Sequence, residues 1–316
     1  NLDLGTRSVA VGSRALGSED VGDRSIAIGF SSLFSQNSDS NNETTANIGI
    51  GTEAGFYNIT GQNNTLLGNG AGMGASGQSN SYNTAVGSLS LNAITTGNNN
   101  TALGYSSLKS QTTGSSNIAI GLNAHKLIPI SSNNIAIGVD AMGSQGSPAN
   151  NLNDVVAIGH EAFKGTGSGT SAPSGTVAIG SQSLKALTSG ASNTAVGYTS
   201  LDSCSTGYDN TALGYNSLGV LQTGNNNVAI GKNSLDASDN GARNVAIGNG
   251  ANGTQVTTHD CVTVGHEAEV SANSASNQIV IGKGATGVAD NSVTLGNSDV
   301  TAVYMAQDSG AKVHTA

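Results

Sequence analysis

The sequence predicts an all-β chain, a parallel β-solenoid or β-roll with coils of about 17 residues. Three observations carry this expectation. A five-residue word ending in glycine returns at a fixed spacing, the composition supplies only a thin core, and the word alternates with the period of two that belongs to a strand.

The word reads NTALG at 100–104, NIAIG at 117–121 and 134–138, NTAVG at 193–197, NTALG at 210–214, and NVAIG at 227–231 and 244–248. Its glycines run from Gly12 to Gly282, mostly 17 apart, with longer steps of 22, 19, 21 and 21 ending at Gly51, Gly87, Gly159 and Gly180. A last word ends at Gly296 after a step of 14. With one strand spacing per coil, the repeats stack into a rod of roughly 75–80 Å. Residues 1–296 form the repeat domain, and 297–316 are a C-terminal strand segment leading to a further domain beyond this sequence.

Glycine contributes 45 of 316 residues, while aromatic residues make up 3% and charged residues 10%, with four Phe and no Trp. So few large side chains cannot fill a wide core, and a thin one fits a stack whose units pack only on their neighbours. The formal charge of −9 and the absence of a basic patch argue against a nucleic-acid partner. No apolar run reaches the length of a membrane helix. Residue 1 is Asn and no signal peptide is visible, so a fragment or processed product is expected.

Each position of the coil has its own reading. The residues three and one before the glycine are Thr, Ile, Val or Leu and are expected to point into the core. The small residue between them is expected on a flat outer face where another chain's backbone approaches, which makes Ala102, Ala119, Ala136, Ala212 and Ala229 the packing residues of a parallel homotrimer. The residue three after the glycine is Ser or Ala, and the next is often Leu (Leu108, Leu184, Leu201, Leu218, Leu235), read as a second short strand whose Leu closes the core. Gly61, Gly97, Gly114, Gly190, Gly207, Gly224 and Gly241, seven before the next word glycine, read as turn residues with positive φ. The Asn that opens the word (Asn100, Asn117, Asn134, Asn210) is expected to stack into a hydrogen-bonded ladder.

Several groups could carry chemistry. Asp140 and Glu161 each lie two residues after a word glycine on adjacent coils, a spacing near that of a retaining glycosidase pair, beside the alternative of a solvated edge. His160 and His266 follow word glycines six coils apart and read as surface or interface residues rather than metal ligands. Cys204 and Cys261 occupy different positions of the repeat and read as free thiols. Ice binding would need a regular exposed row of Thr; the strand-start slot alternates Thr84, Thr101, Thr194 and Thr211 with Ile and Val, and reads as core. No cofactor, metal or catalytic residue is expected. The candidate receptor contacts are the two consecutive four-residue insertions, within 143–154 and 165–175: Ser147, Pro148, Asn150, Asn151, Phe163, Lys164, Thr170 and Pro173. A five-residue insertion within 34–46 forms a separate bulge.

The word N-x-A-[VIL]-G followed by x-x-[SA] resembles the head repeats of YadA-like trimeric autotransporter adhesins over residues 8–296. That resemblance implies a left-handed parallel β-roll that trimerises, although the adhesin repeat is nearer 14 residues, the length of the last step only. The longer form, NTALGYNSLGVLQTGNNNVAIG at 210–231, is similar to repeats of bacteriophage tail fibres. The run 291–316 is similar to the segment that precedes an endosialidase-type intramolecular chaperone, which in that family trimerises the fibre and cuts itself off near a Ser-Asp pair. These resemblances imply an extracellular adhesive protein, the shaft or receptor-facing part of a virion tail fibre. Its partners would be itself, a host-surface glycan or protein and other fibre proteins, with no membrane insertion. The alternative is the head of an adhesin on a bacterial surface. A polysaccharide depolymerase is a further rival.

Overall fold

The structure, a computed structural model, describes residues 7–19, 22–38, 44–143, 152–165 and 173–303. Among them the only regular elements are seventeen short strands, from Val9–Val11 to Ser292–Leu295, joined into one parallel sheet in which each strand pairs with the one before and the one after. The register is a repeat of the sequence word: Thr101, Ala102 and Leu103 lie against Ile118, Ala119 and Ile120, which lie against Ile135, Ala136 and Ile137. The chain is therefore a parallel β-solenoid that advances one word per coil.

The word glycine sets that register. Its φ is near +130°, and a Cβ on Gly104 would stand 2.6 Å from the carbonyl oxygen of Gly121. The same contact recurs from Gly12 to Gly265, so any side chain in this column forces the coils apart.

Beyond the glycine the backbone departs from the expected second strand. It forms turns in which the residues two and four after the glycine have positive φ, as at Ser106 (56°) and Leu108 (49°). Left-handed backbone costs a non-glycine residue about 1–2 kcal/mol. Hydrogen bonds to both neighbouring coils hold it there: Ser106 N donates to Ser88 O, and Leu108 N to Ala124 O. The fourth residue still closes the core as expected, since Leu91, Leu108, Leu184, Leu201, Leu218 and Leu235 are fully buried. No residue with positive φ in this slot is β-branched, as steric crowding there requires. The third residue closes the turn, with Ser107 Oγ donating to Gly104 O at 3.0 Å and Ser183 Oγ to Gly180 O at 3.0 Å.

The two faces of the word are the reverse of the expectation. Ala102, Ala119, Ala136, Ala212 and Ala229 have no exposed area and lie inside their own coil, in one core cluster with the buried leucines. They cannot pack against another chain. The branched residues face outward, with Leu103 45% and Ile118 38% exposed. The coil is so narrow that the interior Leu occupies the space opposite the strand, leaving room for a methyl group only. Coils that depart from Ala show the compensation. Leu66 takes the alanine slot, and Gly55 and Gly72 take the leucine slots around it; a Cβ on Gly72 would sit 2.5 Å from a Leu66 methyl.

The expected asparagine ladder forms, in two lengths. Asn117 Nδ2 donates to Asn100 Oδ1 at 3.0 Å and to Ser131 O at 2.8 Å, and its own Oδ1 accepts from Asn134 Nδ2 and Asn134 N. The pattern runs from Asn47 to Asn134 and from Asn193 to Asn244, except that the Asn83 side-chain amide turns to Asn80 Oδ1 and only its backbone N reaches Asn64 Oδ1. The two coils with long insertions interrupt it. There Val155 and Thr176 replace the Asn, and Leu152 and Pro173 replace the glycine three residues earlier. The ladder also explains those glycines. Of the seven turn glycines, only Gly190 has positive φ (95°); in all seven coils a left-handed residue falls two positions later, at Asn63, Asn99, Ser116, Ser192, Asp209, Asn226 and Arg243. Glycine is needed because a Cβ at each position would run into the backbone of the next coil.

Towards the C-terminus the coil narrows. The leucine slot becomes Asn252, Glu269 and Thr286, and a second, smaller core of Cys261, Ala268, Val270, Ala275, Val280 and Ala285 takes over. This change precedes the 14-residue step to Gly296.

Replacing Asn117 with Ala removes both its donors and its acceptor at the centre of the longer ladder. The Ser131 carbonyl keeps its bond from Gln111 Nε2, but leaving the buried backbone and side-chain amides of Asn134 without this acceptor should cost about 1–3 kcal/mol. Thermal unfolding of Asn117→Ala should show that loss, and Thr96→Ala, at an exposed position without positive φ, should not reproduce it.

Candidate functional site

Of the expected receptor contacts, Ser147, Pro148, Asn150, Asn151 and Thr170 lie outside the described residues. Phe163 is no contact residue: it fills the interior leucine slot of its coil, with φ 48° and no exposed area. Pro173 is buried at the interrupted ladder. Lys164 is tied down by Glu161, its Nζ 2.6 Å from Oε1. The expectation that Phe163 is a receptor contact is therefore corrected, while Lys164 stays partly exposed beside its carboxylate.

The same ion pair restricts what the carboxylate pair can do. Glu161 takes Lys164 on one oxygen, and Lys185 at 2.8 Å with Gln182 at 3.2 Å on the other. The hydrogen bonds from Lys164 and Lys185 pull its carboxyl down to about 2. A group held ionised in this way cannot serve as the proton donor that glycoside cleavage needs near neutral pH. Its neighbour Asp140 accepts from Asn123 Nδ2 at 3.2 Å. The cluster joins the second insertion-bearing coil, ending at Gly180, to the ordinary coil that follows it.

His160 and His266 are exposed, as the surface reading expects. Among the described residues, no group of three or more His, Cys, Asp or Glu side chains is placed to hold a metal. Cys204 and Cys261 are free and buried; burial pushes the Cys204 thiol up to about 12. The strand-start threonines, expected in the core, stand on the outer face with the isoleucines and valines; Thr84 is exposed and Thr101, Thr194 and Thr211 are half-buried. Ile118, Ile135, Val156 and Val177 interrupt their row, so a regular Thr array is still missing.

The largest feature is the outer face of the sheet. Leu103, Ile118, Leu213, Ile247, Ile279 and Ile281 are 38–46% exposed on it, and every strand adds two outward positions. By strand geometry the face measures about 75 Å by 10 Å. That area exceeds the largest apolar patch of an ordinary monomer and matches what one partner contributes to a standard interface. A small acidic notch lies farther along, between Asp236, Glu267 and Glu269. Burial pushes the Glu269 carboxyl up, and its Oε1 accepts from the amides of Gly253 and Thr254.

One interior residue adds a titratable group that the repeat did not announce. His125 takes the leucine slot, fully buried, with Nε2 2.9 Å from Ser131 Oγ and Nδ1 unpartnered. Burial lowers its pKa to about 4.

No protein-family model matches the chain, and no curated protein matches it. Its function is therefore read from the geometry.

The His125 prediction has a definite sign. The imidazole is neutral in the fold down to about pH 4, whereas in the unfolded chain it binds a proton near 6.5. Its contribution is fully favourable above pH 6.5 and falls as pH drops from 6.5 to 4, by at most about 1.4 kcal/mol per pH unit. His125→Leu should shrink the drop in melting temperature between pH 7.5 and pH 5; equal drops in variant and parent would exclude the effect. For Glu161 the window is more acidic: its stabilisation is complete above 4.5 and is lost as pH falls through about 2. At neutral pH Glu161→Gln should cost about 0.5–1 kcal/mol in thermal unfolding.

Proposed function

We propose that this chain is an adhesive, non-catalytic fibre segment. It forms a parallel homotrimer of left-handed coils, serves as the shaft or receptor-facing part of a viral or bacteriophage tail fibre, and attaches it outside the cell to a host-surface glycan or protein. The observation that supports this reading most is the outer sheet face. A strip of branched apolar side chains running the length of a solenoid needs a cover, and the repetition of one word gives every coil the same demand. Copies arranged in parallel around an axis meet it coil by coil, with like residues at like heights. The chains then associate through the Ile, Val, Leu and Thr positions, not through the alanines.

Length and stiffness fit the rest. Coils joined by backbone ladders make a spacer that holds its ends apart, and polar insertions on two adjacent coils are suited to contact without disturbing the stack. The head of a bacterial trimeric adhesin is the second reading, favoured by the 14-residue coil from Gly282 to Gly296.

The mass of the purified chain in solution tests the assembly. Sedimentation should give three times 31.1 kDa, and Ile118→Asp combined with Leu213→Asp should lower that mass. A stable monomer at micromolar concentration would sink the reading. Ala119→Leu should instead overpack the coil interior by about 1–3 kcal/mol. Labelled trimer applied to candidate host cells tests attachment.

A further inference from the structure

The residue directly after each word glycine forms a second row on the surface, beside the apolar face. One backbone bond per coil fixes its position. Gln182 N donates to His160 O at 2.9 Å, Thr199 N to Ser181 O at 3.1 Å, Asn216 N to Tyr198 O at 2.9 Å, Asn233 N to Tyr215 O at 2.9 Å and Gly250 N to Lys232 O at 2.9 Å. His160, Ser181, Tyr198, Tyr215 and Lys232 thus stand in single file, one coil apart.

Tyr198 and Tyr215 are each 51% exposed. Their rings stack with centroids 5.7 Å apart and planes 14° from parallel. The Lys232 ammonium lies 5.7 Å from the Tyr215 centroid. Tyr215 is therefore flanked by a ring and a cation, while Tyr198 has its far side toward Ser181, the smallest side chain in this stretch of the file. Beyond Ser181 comes the exposed imidazole of His160. Two strand spacings, about 9.6 Å, separate His160 from Tyr198. A six-membered ring stacked at about 4.5–5 Å from each neighbour needs that much room.

We propose that the gap over Ser181, between His160 and Tyr198, is a subsite for one pyranose ring of a neutral glycan. The apolar C–H face of the sugar lies on the open face of Tyr198, and its hydroxyls meet Ser181 Oγ and the His160 imidazole. Exposed aromatic faces are lined up here without the charged clamp an anionic sugar would use. The net charge of −9 works against a phosphate-linked nucleobase, the other common stacking ring. The choice of occupant rests on the surface-attachment reading above.

The experiment uses the full chain and an immobilised panel of neutral oligosaccharides containing glucose, galactose, mannose and N-acetylglucosamine. With no Trp and seven Tyr in the chain, the part of the tyrosine-fluorescence change that Tyr198→Ala abolishes reports binding at the row. At least one glycan should bind the parent. Tyr198→Ala, which removes the platform, and Ser181→Tyr, which fills the gap with another ring, should each weaken that binding by roughly tenfold. Ser88→Tyr, at the same position of a distant coil, should leave it unchanged. Solution mass and thermal unfolding should match the parent in all three. Undiminished binding in both gap variants overturns the subsite and leaves the attachment reading standing. A parent that binds no member of the panel overturns the neutral-glycan occupant, and attachment to host cells then tests the broader reading by itself. A change of oligomeric mass in Tyr198→Ala assigns the row to a subunit interface and overturns the proposal.

Discussion

The structure depends on the close approach of one glycine to the next along a single column. Because a Cβ at Gly104 would collide with the Gly121 carbonyl, the column is closed to every other residue, and the coils above and below are locked in phase. The outward strand, the buried alanine and the left-handed turn all take their positions from that column. So does the asparagine four residues before it, whose amide links one coil to the next twice over. The glycine removes a steric obstacle, and the asparagine supplies the polar cohesion that a core this thin cannot provide by burial alone.

Much of this was legible in the sequence. The period, the strand of each word, the interior leucine and the asparagine ladder all follow from residues recurring at one spacing. The orientation of the word was not legible. Three residues in a strand show alternation but not which side is inside, and ordinary hydrophobicity places Ile118 within and Ala119 without. The coil reverses this because its interior is already filled by Leu108 and its counterparts. The positive φ of Leu108 was hidden for a related reason: leucine rarely adopts it, and only bonds to two neighbouring coils hold it there. A further interior slot, seven residues after the glycine, holds Ile94, Ile128, Leu187, Cys204 and Leu221, but also Glu19, Gln36 and Asn58, so no single residue type marks it.

The candidate contacts divide along the same line. Phe163 looked like an exposed aromatic beside a loop because the repeat position it occupies, the leucine slot, mattered more than its neighbours in sequence. The tyrosine file went unnoticed because its position carries Ser, Tyr, Leu, Val, His and Lys in different coils; variability of that kind reads as unremarkable surface until the register shows which residues become neighbours. The sequence spaced Glu161 one coil from Asp140 but gave no sign that two lysines, one three residues ahead and one a coil away, share it.

The break in the asparagine ladder has a mechanical consequence. Load along the rod is shared by asparagine rungs from Asn47 to Asn134 and from Asn193 to Asn244, but no asparagine rung joins Val155 to Thr176 or Thr176 to Asn193, and there backbone bonds such as Val156 N to Thr176 O and Val177 N to Asn193 O carry it. Under tension the coils bearing the insertions are the compliant joint between two stiffer spans. A solenoid pulled from its tip would yield first at mid-length, leaving both ends in register to close again.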